Sequence, residues 1–146
     1  PGAVEFTHYA ESIGVEVFYI SNRKEDEFDV TLQNLQNEKF AFADSSHLLL
    51  KTTTSCKKER REIVMENYEI ILLIGDNLGD FSEIFEDRSE NYGFDIVEAN
   101  KEKFGTQFIM LPNPMYGSWE SPVLDYKKDI SDKEKYDLRK SKLIGY

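Results

Sequence analysis

Residues 69–81, Glu69-Ile-Ile-Leu-Leu-Ile-Gly-Asp-Asn-Leu-Gly-Asp80-Phe81, decide the fold of this 146-residue chain. An apolar run from Ile70 to Ile74 ends in a glycine and two aspartates. Such a run predicts a buried parallel strand, because both faces of such a strand are covered. Ligands of open α/β sheets bind beyond the carboxyl ends of the strands, so Asp76 and Asp80 are predicted to lie at a site. Two neighbouring carboxylates suit a hard cation such as Mg²⁺.

The two aspartates differ in their alternative interpretations. Asp80 precedes a predicted short helix, where it could cap or charge the first turn. Asp76 directly follows an apolar strand. A purely structural reason for a carboxylate is weaker there than at Asp80. We therefore predict a metal or catalytic role for Asp76.

Composition restricts the function classes. Hydrophobic residues make up 40% of the chain and charged residues 32%, which is typical of an ordered globular domain. The net charge of −10 disfavours nonspecific binding to nucleic acid and to anionic membranes. The net charge does not exclude a small phosphorylated substrate, because local cations and a metal can hold it. The longest apolar run is far shorter than the roughly 20 residues of a membrane helix.

The order of predicted elements indicates the fold class. In its first half, the pattern predicts a helix over 3–13, a strand over 15–20, a helix over 28–35, a short strand within 40–50, near 41–42 or 47–50, and a helix over 57–67 capped by Ser55. In its second half, it predicts a strand over 69–74, a short helix over 79–85, irregular chain over 86–103, a strand over 106–111 and a helix after the capping box Ser131-Asp-Lys-Glu134. Strands that alternate with helices predict an α/β fold, a parallel sheet with helices on both faces.

Polar residues follow the first predicted strand and begin the third predicted helix. The hydroxyl of Ser21 and the backbone N–H groups of Ser21-Asn22-Arg23 could hold a phosphate oxygen, although Ser and Asn are also ordinary turn residues. Lys57 could add a point charge at a helix N-terminus. The alternative is that Lys57-Lys58-Glu59-Arg60-Arg61 is an exposed charged face.

A loop rich in aromatic residues follows the last predicted strand. Tyr116-Gly-Ser-Trp119 could stack on a planar base or ring, or it could anchor the loop on the core. His8, His47 and the single cysteine, Cys56, form no pattern typical of zinc binding or nucleophilic catalysis.

Together, several segments resemble the class C acid phosphatases of bacteria, in the haloacid dehalogenase superfamily. They occur in family order: Pro1-Gly2-Ala3, Tyr19-Ile-Ser21-Asn22-Arg23, Ser55-Cys-Lys57, Gly75-Asp-Asn-Leu-Gly-Asp80-Phe81 and Lys103-Phe-Gly-Thr-Gln-Phe-Ile-Met-Leu-Pro-Asn113. The resemblance covers nearly the whole chain. It implies a three-layer, Rossmann-like fold and an Mg²⁺-dependent acid phosphatase that hydrolyses phosphomonoesters such as nucleoside monophosphates through an aspartyl-phosphate.

The resemblance also implies roles for individual residues. Ser21, Asn22 and Lys57 are expected to be catalytic, with Ser21 forming a hydrogen bond to the phosphoryl group. Lys57 is expected to neutralise its charge, and Arg23 and Tyr116 are expected to bind substrate. Asp76 is expected to ligate Mg²⁺, and Asp80 to support that ligand.

One departure from the family pattern matters for activity. The family nucleophile and its acid/base partner lie on an Asp-x-Asp motif, and no two aspartates here are two positions apart. We expect the motif upstream of Pro1, so that residues 1–146 are the C-terminal portion of a single phosphatase domain lacking its first strand. This portion alone is expected to be inactive. The alternative is a catalytically incomplete, phosphatase-like module that binds a metal or a partner.

The remaining expectations rest on the resemblance alone. The best-known family members are surface lipoproteins, which implies a cell-surface or secreted location and membrane contact only through an upstream lipid anchor. Dimers occur in the family, which allows a homodimer. The expected ligand is a small phosphorylated molecule, not a nucleic acid polymer.

Overall fold

Parallel strand pairs form the framework of the chain in the computed structural model, which describes residues 2–143. Pro1, where the family resemblance begins, lies outside the described residues. The chain divides into two compact units, Pro1–Ile70 (the N-terminal unit) and Ile71–Tyr146 (the C-terminal unit). The α/β fold class is confirmed, because each unit combines helices with a parallel strand pair.

The N-terminal unit contains two strands and three α-helices. In chain order they are α1 (Ala3–Ser12), β1 (Tyr19–Lys24), α2 (Phe28–Asn37), β2 (Leu48–Lys51) and α3 (Lys58–Met65). β1 pairs in parallel with β2, with Tyr19 opposite Leu48 and Ile20 opposite Leu49. Leu48 and Leu50 are both buried, as the period of two along a strand requires for one core-facing side.

The first strand begins later than the sequence predicted. The ladder starts where the N–H of Tyr19 donates to the carbonyl of His47 at 2.7 Å, so the strand over 15–20 is replaced by β1. Pairing shifts between Ile20 and Lys24, where β1 is irregular. Residues 21–23 therefore lie inside this irregular part of β1 rather than after a strand.

Helix α3 corrects two expectations. Its N-cap is Lys57, not Ser55, and the Lys57 side chain forms no capping hydrogen bond. The interpretation of residues 57–61 as an exposed face is wrong for Arg60 and Arg61, which are 7% and 6% exposed. Charge alone did not show which of these side chains turn inward.

The C-terminal unit contains the second strand pair. Its strands and α-helices are β3 (Leu73–Gly75), α4 (Phe94–Ala99), β4 (Phe108–Met110), α5 (Glu120–Val123) and α6 (Asp132–Ser141). β3 pairs in parallel with β4, with Gly75 opposite Met110. Phe81, Phe85 and Phe108 form the buried core of this unit.

The apolar run that predicted a strand over 69–74 forms a shorter strand. Only β3, Leu73–Gly75, enters the ladder, and within residues 2–143 it pairs with β4 alone. Ile71 and Ile74 are 56% and 45% exposed, so the expectation of a strand covered on both faces is wrong for these side chains. An apolar run of this kind is normally buried, but the described residues leave Ile71 and Ile74 exposed.

Three further predictions in this unit have different outcomes. The short helix over 79–85 is replaced by two 3₁₀ turns, Leu78–Asp80 and Glu83–Phe85. The stretch over 86–103 is not irregular, because it holds α4 between two more 3₁₀ turns, Asn91–Gly93 and Lys101–Lys103. The capping box before α6 is confirmed, since Ser131 and Glu134 each accept a hydrogen bond from the other's backbone N–H.

Helices able to cross a membrane were not found among residues 2–143, since none combines the necessary length and apolar character.

Candidate active site

Asp76 lies directly after β3, at the carboxyl end of the strand. Its side chain is exposed, and its Oδ2 accepts a hydrogen bond from Nδ2 of Asn113 at 2.9 Å. Asn113 follows β4 by a few residues. Because β3 and β4 are parallel, their carboxyl ends lie at the same edge of the sheet, which is where ligands of such folds bind.

Asp80 turns back towards the end of β3. Its Oδ2 accepts a hydrogen bond from the N–H of Asn77 at 3.0 Å, which closes a capping box around Leu78–Asp80. A Cβ atom at Gly75 would lie 2.5 Å from Oδ2 of Asp80, so only glycine admits the carboxylate there. The structure thus shows the capping role that was the alternative interpretation of Asp80.

Asn77 is the centre of a hydrogen-bond cluster between the two aspartates. Its Oδ1 accepts from Nη2 of Arg88 at 2.9 Å, from Oγ of Ser118 at 2.7 Å and from the N–H of Gly79 at 3.3 Å. Arg88 is 6% exposed, and burial lowers its pKa. A guanidinium nevertheless stays protonated in proteins, so the loop after β3 is held by a buried charge.

The loop that carries Tyr116 is tied to the same edge through Asn113. Oδ1 of Asn113 accepts from the N–H of Met115 at 3.0 Å, and its carbonyl accepts from Nε1 of Trp119 at 3.0 Å. Tyr116 is 71% exposed. Trp119 thus anchors the loop, as one of the two interpretations expected, whereas stacking on a base or ring stays a prediction for the exposed ring of Tyr116. Gly117 allows the turn, because a Cβ there would lie 2.9 Å from the Trp119 ring.

In the N-terminal unit, β1 carries the second group of predicted residues. Ser21 is half-buried, Asn22 and Arg23 are exposed, and Oγ of Ser21 accepts from the N–H of Arg23 at 3.2 Å. Oδ1 of Asn22 accepts from Nη2 of Arg60 at 2.8 Å. The same Nη2 donates to the carbonyl of Cys56 at 3.0 Å, directly before the half-buried Lys57.

Residues 1–119 match the family model of the HAD superfamily, subfamily IIIB (Acid phosphatase). The chain belongs to this family. The predicted resemblance to class C acid phosphatases of the haloacid dehalogenase superfamily is thus confirmed.

Solved structures of a relative agree with the family. The chain is similar to the class C acid phosphatase from Bacillus anthracis, with a TM-score of 0.90, 39% sequence identity, and coverage of 100% of this chain and 61% of that chain. The chain is also similar to the structure of the B. anthracis enzyme with tungstate bound, with a TM-score of 0.91 and 39% sequence identity. That match covers 100% of this chain and 62% of that chain. This chain therefore spans about three fifths of the length of these structures.

In this member of subfamily IIIB, the site residues predicted from the sequence lie in two separate hydrogen-bonded groups. The N-terminal unit joins Ser21 and Asn22 to the backbone before Lys57. The C-terminal unit joins Asp76 to the loop of Tyr116 and closes Asp80 onto the same turn. The supporting side chains were missed in the sequence, and they are Arg60, Asn77, Arg88, Asn113 and Ser118. Position next to a predicted strand end was a usable signal for Asn77 and Asn113.

In this member of subfamily IIIB, the residues of the candidate site fit Mg²⁺ only in part. Asp76 offers an exposed carboxylate at a strand end, the type of oxygen ligand that Mg²⁺ prefers. Within residues 2–143, however, no group of three or more His, Cys, Asp and Glu side chains could hold a metal ion. Mg²⁺ is usually held by one or two carboxylates together with waters and substrate phosphates, so Asp76 suits a role as one of its ligands.

Proposed function

We propose that the full-length protein is an Mg²⁺-dependent acid phosphatase that hydrolyses phosphomonoesters, nucleoside monophosphates among them. The observation that carries this proposal is the exposed Asp76 carboxylate at the end of β3, in a chain that belongs to an acid phosphatase family. The substrate would be a small phosphorylated molecule. A cell-surface or secreted location, a lipid anchor and a homodimer stay predictions from the resemblance.

The proposed roles follow the contacts of each side chain. Asp76 would hold Mg²⁺, which offsets phosphate charge when bound, with Asp80 keeping the loop in place. Ser21 would donate its hydroxyl proton to a phosphoryl oxygen, with Asn22 beside it, and Lys57 would add positive charge. Arg23 and the exposed ring of Tyr116 would contact the rest of the substrate. The nucleophile of the aspartyl-phosphate route would come from an Asp-x-Asp segment before residue 1.

Asp76→Asn in the full-length protein tests this proposal. We expect Mg²⁺ affinity and kcat on p-nitrophenyl phosphate to fall by at least about 10- to 100-fold, the usual cost of losing even an outer partner of a metal ligand. Calorimetric titration with Mg²⁺ and steady-state kinetics measure the two effects.

Asp137→Asn is the matched control, since Asp137 is an exposed aspartate on α6. It should leave both quantities unchanged. Normal Mg²⁺ affinity in Asp76→Asn would contradict the metal role. Mg²⁺ binding by a full-length protein that hydrolyses no phosphomonoester would instead identify the binding module that was the alternative.

A further inference from the structure

The guanidinium of Arg60 joins two distant segments of the N-terminal unit. It is buried, and its Nη1 donates to the carbonyl of Ser21 at 2.5 Å, across 39 positions of sequence. Its Nη2 lies 2.8 Å from Oδ1 of Asn22 and 3.0 Å from the carbonyl oxygen of Cys56. Longer contacts reach the carbonyl oxygens of Thr54 and Ser55, at 3.4 and 3.3 Å.

We propose that Arg60 is a positioning residue for phosphate binding, because it fixes the irregular part of β1 that carries Ser21 and Asn22 against the backbone that leads into Lys57. This inference rests on the proposed function. Removal of the guanidinium would release both segments together. Each proposed phosphate ligand would then sample more positions, although Arg60 itself touches no substrate.

The chemistry of the contacts requires arginine. The five oxygens that lie within hydrogen-bond distance of the guanidinium among the described residues are uncharged, and four of them are backbone carbonyls that share Nη1 and Nη2 with Asn22. These bonds therefore hold the positive charge of Arg60 without cancelling it, next to groups proposed to bind an anion. Lysine carries its donors on one nitrogen and lacks the planar fork, so it cannot serve both segments in the same way.

Kinetics of full-length Arg60→Lys and Arg60→Ala test this role. We expect kcat/KM on p-nitrophenyl phosphate to fall about 10- to 100-fold in both, mostly through kcat, because misplacement by about 1 Å has such an effect. The inhibition constant of tungstate, used as the phosphate-like probe, should rise by a similar factor. Millimolar guanidinium chloride should restore part of kcat to Arg60→Ala only.

Arg61→Ala is the matched control for loss of a buried arginine. Arg61 is the next residue of the same helix, and adjacent helical side chains point about 100° apart. We expect Arg61→Ala to lower the thermal midpoint while leaving kcat and tungstate inhibition within about twofold of wild type.

The outcomes separate this inference from the proposed function. An inactive wild-type protein would contradict the proposed function itself. An active wild type with normal kcat in Arg60→Lys would overturn the positioning role alone, as would equal losses of kcat in the Arg60 and Arg61 variants. If Arg60→Ala does not fold, a folded Arg60→Lys with reduced kcat still supports the role. Failure of both to fold would assign Arg60 to stability only.

Discussion

Gly75 lies where the side chain of Asp80 crosses the end of β3. In Gly75→Ala the new Cβ would lie 2.5 Å from Oδ2 and 2.6 Å from Cβ of Asp80, so the carboxylate and its bond to Asn77 must shift. We expect a loss of about 1–3 kcal/mol in the free energy of unfolding, the usual cost of overpacking. Urea denaturation measures it.

Gly79→Ala is the control for that substitution. The nearest side-chain atom to a Cβ at Gly79 is 3.7 Å away, which is ordinary contact. Its unfolding free energy should stay within about 0.5 kcal/mol of wild type. An equally small change in Gly75→Ala would show that the loop adapts to the added methyl group.

His47 makes the N-terminal unit sensitive to pH. Its Nδ1 lies 2.8 Å from Asp44 and its Nε2 3.0 Å from Glu16, while the rings of Phe18 and Phe42 pack beside it. Burial lowers the pKa of His47, but the two carboxylates outweigh burial and raise it above 6.5. Hydrogen bonds from Ser46 and then His47 lower the pKa of Asp44 to about 2.

These shifts predict a stability maximum in mild acid. A raised histidine pKa stabilises the fold fully below the unfolded value and loses this effect as pH rises through the folded value. The lowered pKa of Asp44 stabilises the fold above its ordinary value of 3.8 and loses this effect as pH falls towards 2. The thermal midpoint should therefore decline above about pH 6.5, and His47→Gln should remove most of that decline.

His8→Gln is the comparison variant, because His8 is exposed. It should change the pH profile much less than His47→Gln does. If the thermal midpoint declines equally above neutral pH with and without His47, the pH dependence does not come from His47.

Prediction at the residue scale rested on side chains beside the predicted ends of strands and helices, and it missed the side chains that hold them. Asp76, Ser21 and Lys57 stand beside predicted strand and helix ends, which local sequence reveals. Asn113 bonds to Asp76 across 37 positions and Ser118 bonds to Asn77 across 41. Local patterns carry no information on partners so distant in sequence.

At the scale of elements, the cap of α6 is a direct test of a sequence signal. Oγ of Ser131 accepts from the N–H of Glu134 at 3.3 Å, and Oε2 of Glu134 accepts from the N–H of Ser131 at 2.9 Å. Ser131→Ala removes one of these bonds, so the unfolding free energy should fall by about 1 kcal/mol. Denaturant titration of the protein, followed by circular dichroism, measures this loss.

The matched control is Ser141→Ala, at the last residue of α6. Ser141 donates its hydroxyl to the carbonyl of Leu138 and, among residues 2–143, caps no N–H group. Its substitution should change the unfolding free energy by less than about 0.5 kcal/mol. Equal losses in both variants would refute the capping argument.

Element boundaries were the least predictable part of the fold. Hydrophobic periodicity reports which side chains need burial, whereas a strand extends only as far as its neighbour offers hydrogen bonds. The run over 70–74 is apolar throughout, yet only Leu73–Gly75 meets β4. Helix α4 was missed because Ile96 and Val97, which pack on the phenylalanine core, stand in a polar stretch too short for clear periodicity.

At the scale of the whole molecule, we expect activity to need more than these residues. No two aspartates of the chain are two positions apart, so the family nucleophile motif does not occur in it. We expect a polypeptide of residues 1–146 to hydrolyse no p-nitrophenyl phosphate in the presence of Mg²⁺. The longer protein with an upstream Asp-x-Asp segment should do so under the same conditions.

Circular dichroism of the shorter polypeptide provides the control, because loss of activity is informative only if its helices are formed. Clear Mg²⁺-dependent turnover by the folded shorter polypeptide would mean that another side chain acts as nucleophile.

The irregular pairing of β1 has a consequence for how this family can diversify. From Ile20 to Lys24 the chain advances four residues, while its neighbour advances only two, from Leu49 to Lys51. The side chains of β1 also do not alternate here, since residues 19–21 are half-buried and residues 22–24 are exposed. Substitution of the exposed Arg23 would therefore leave the buried side chains of this strand pair in place. Substrate preference and folding can accordingly be selected almost independently at this position.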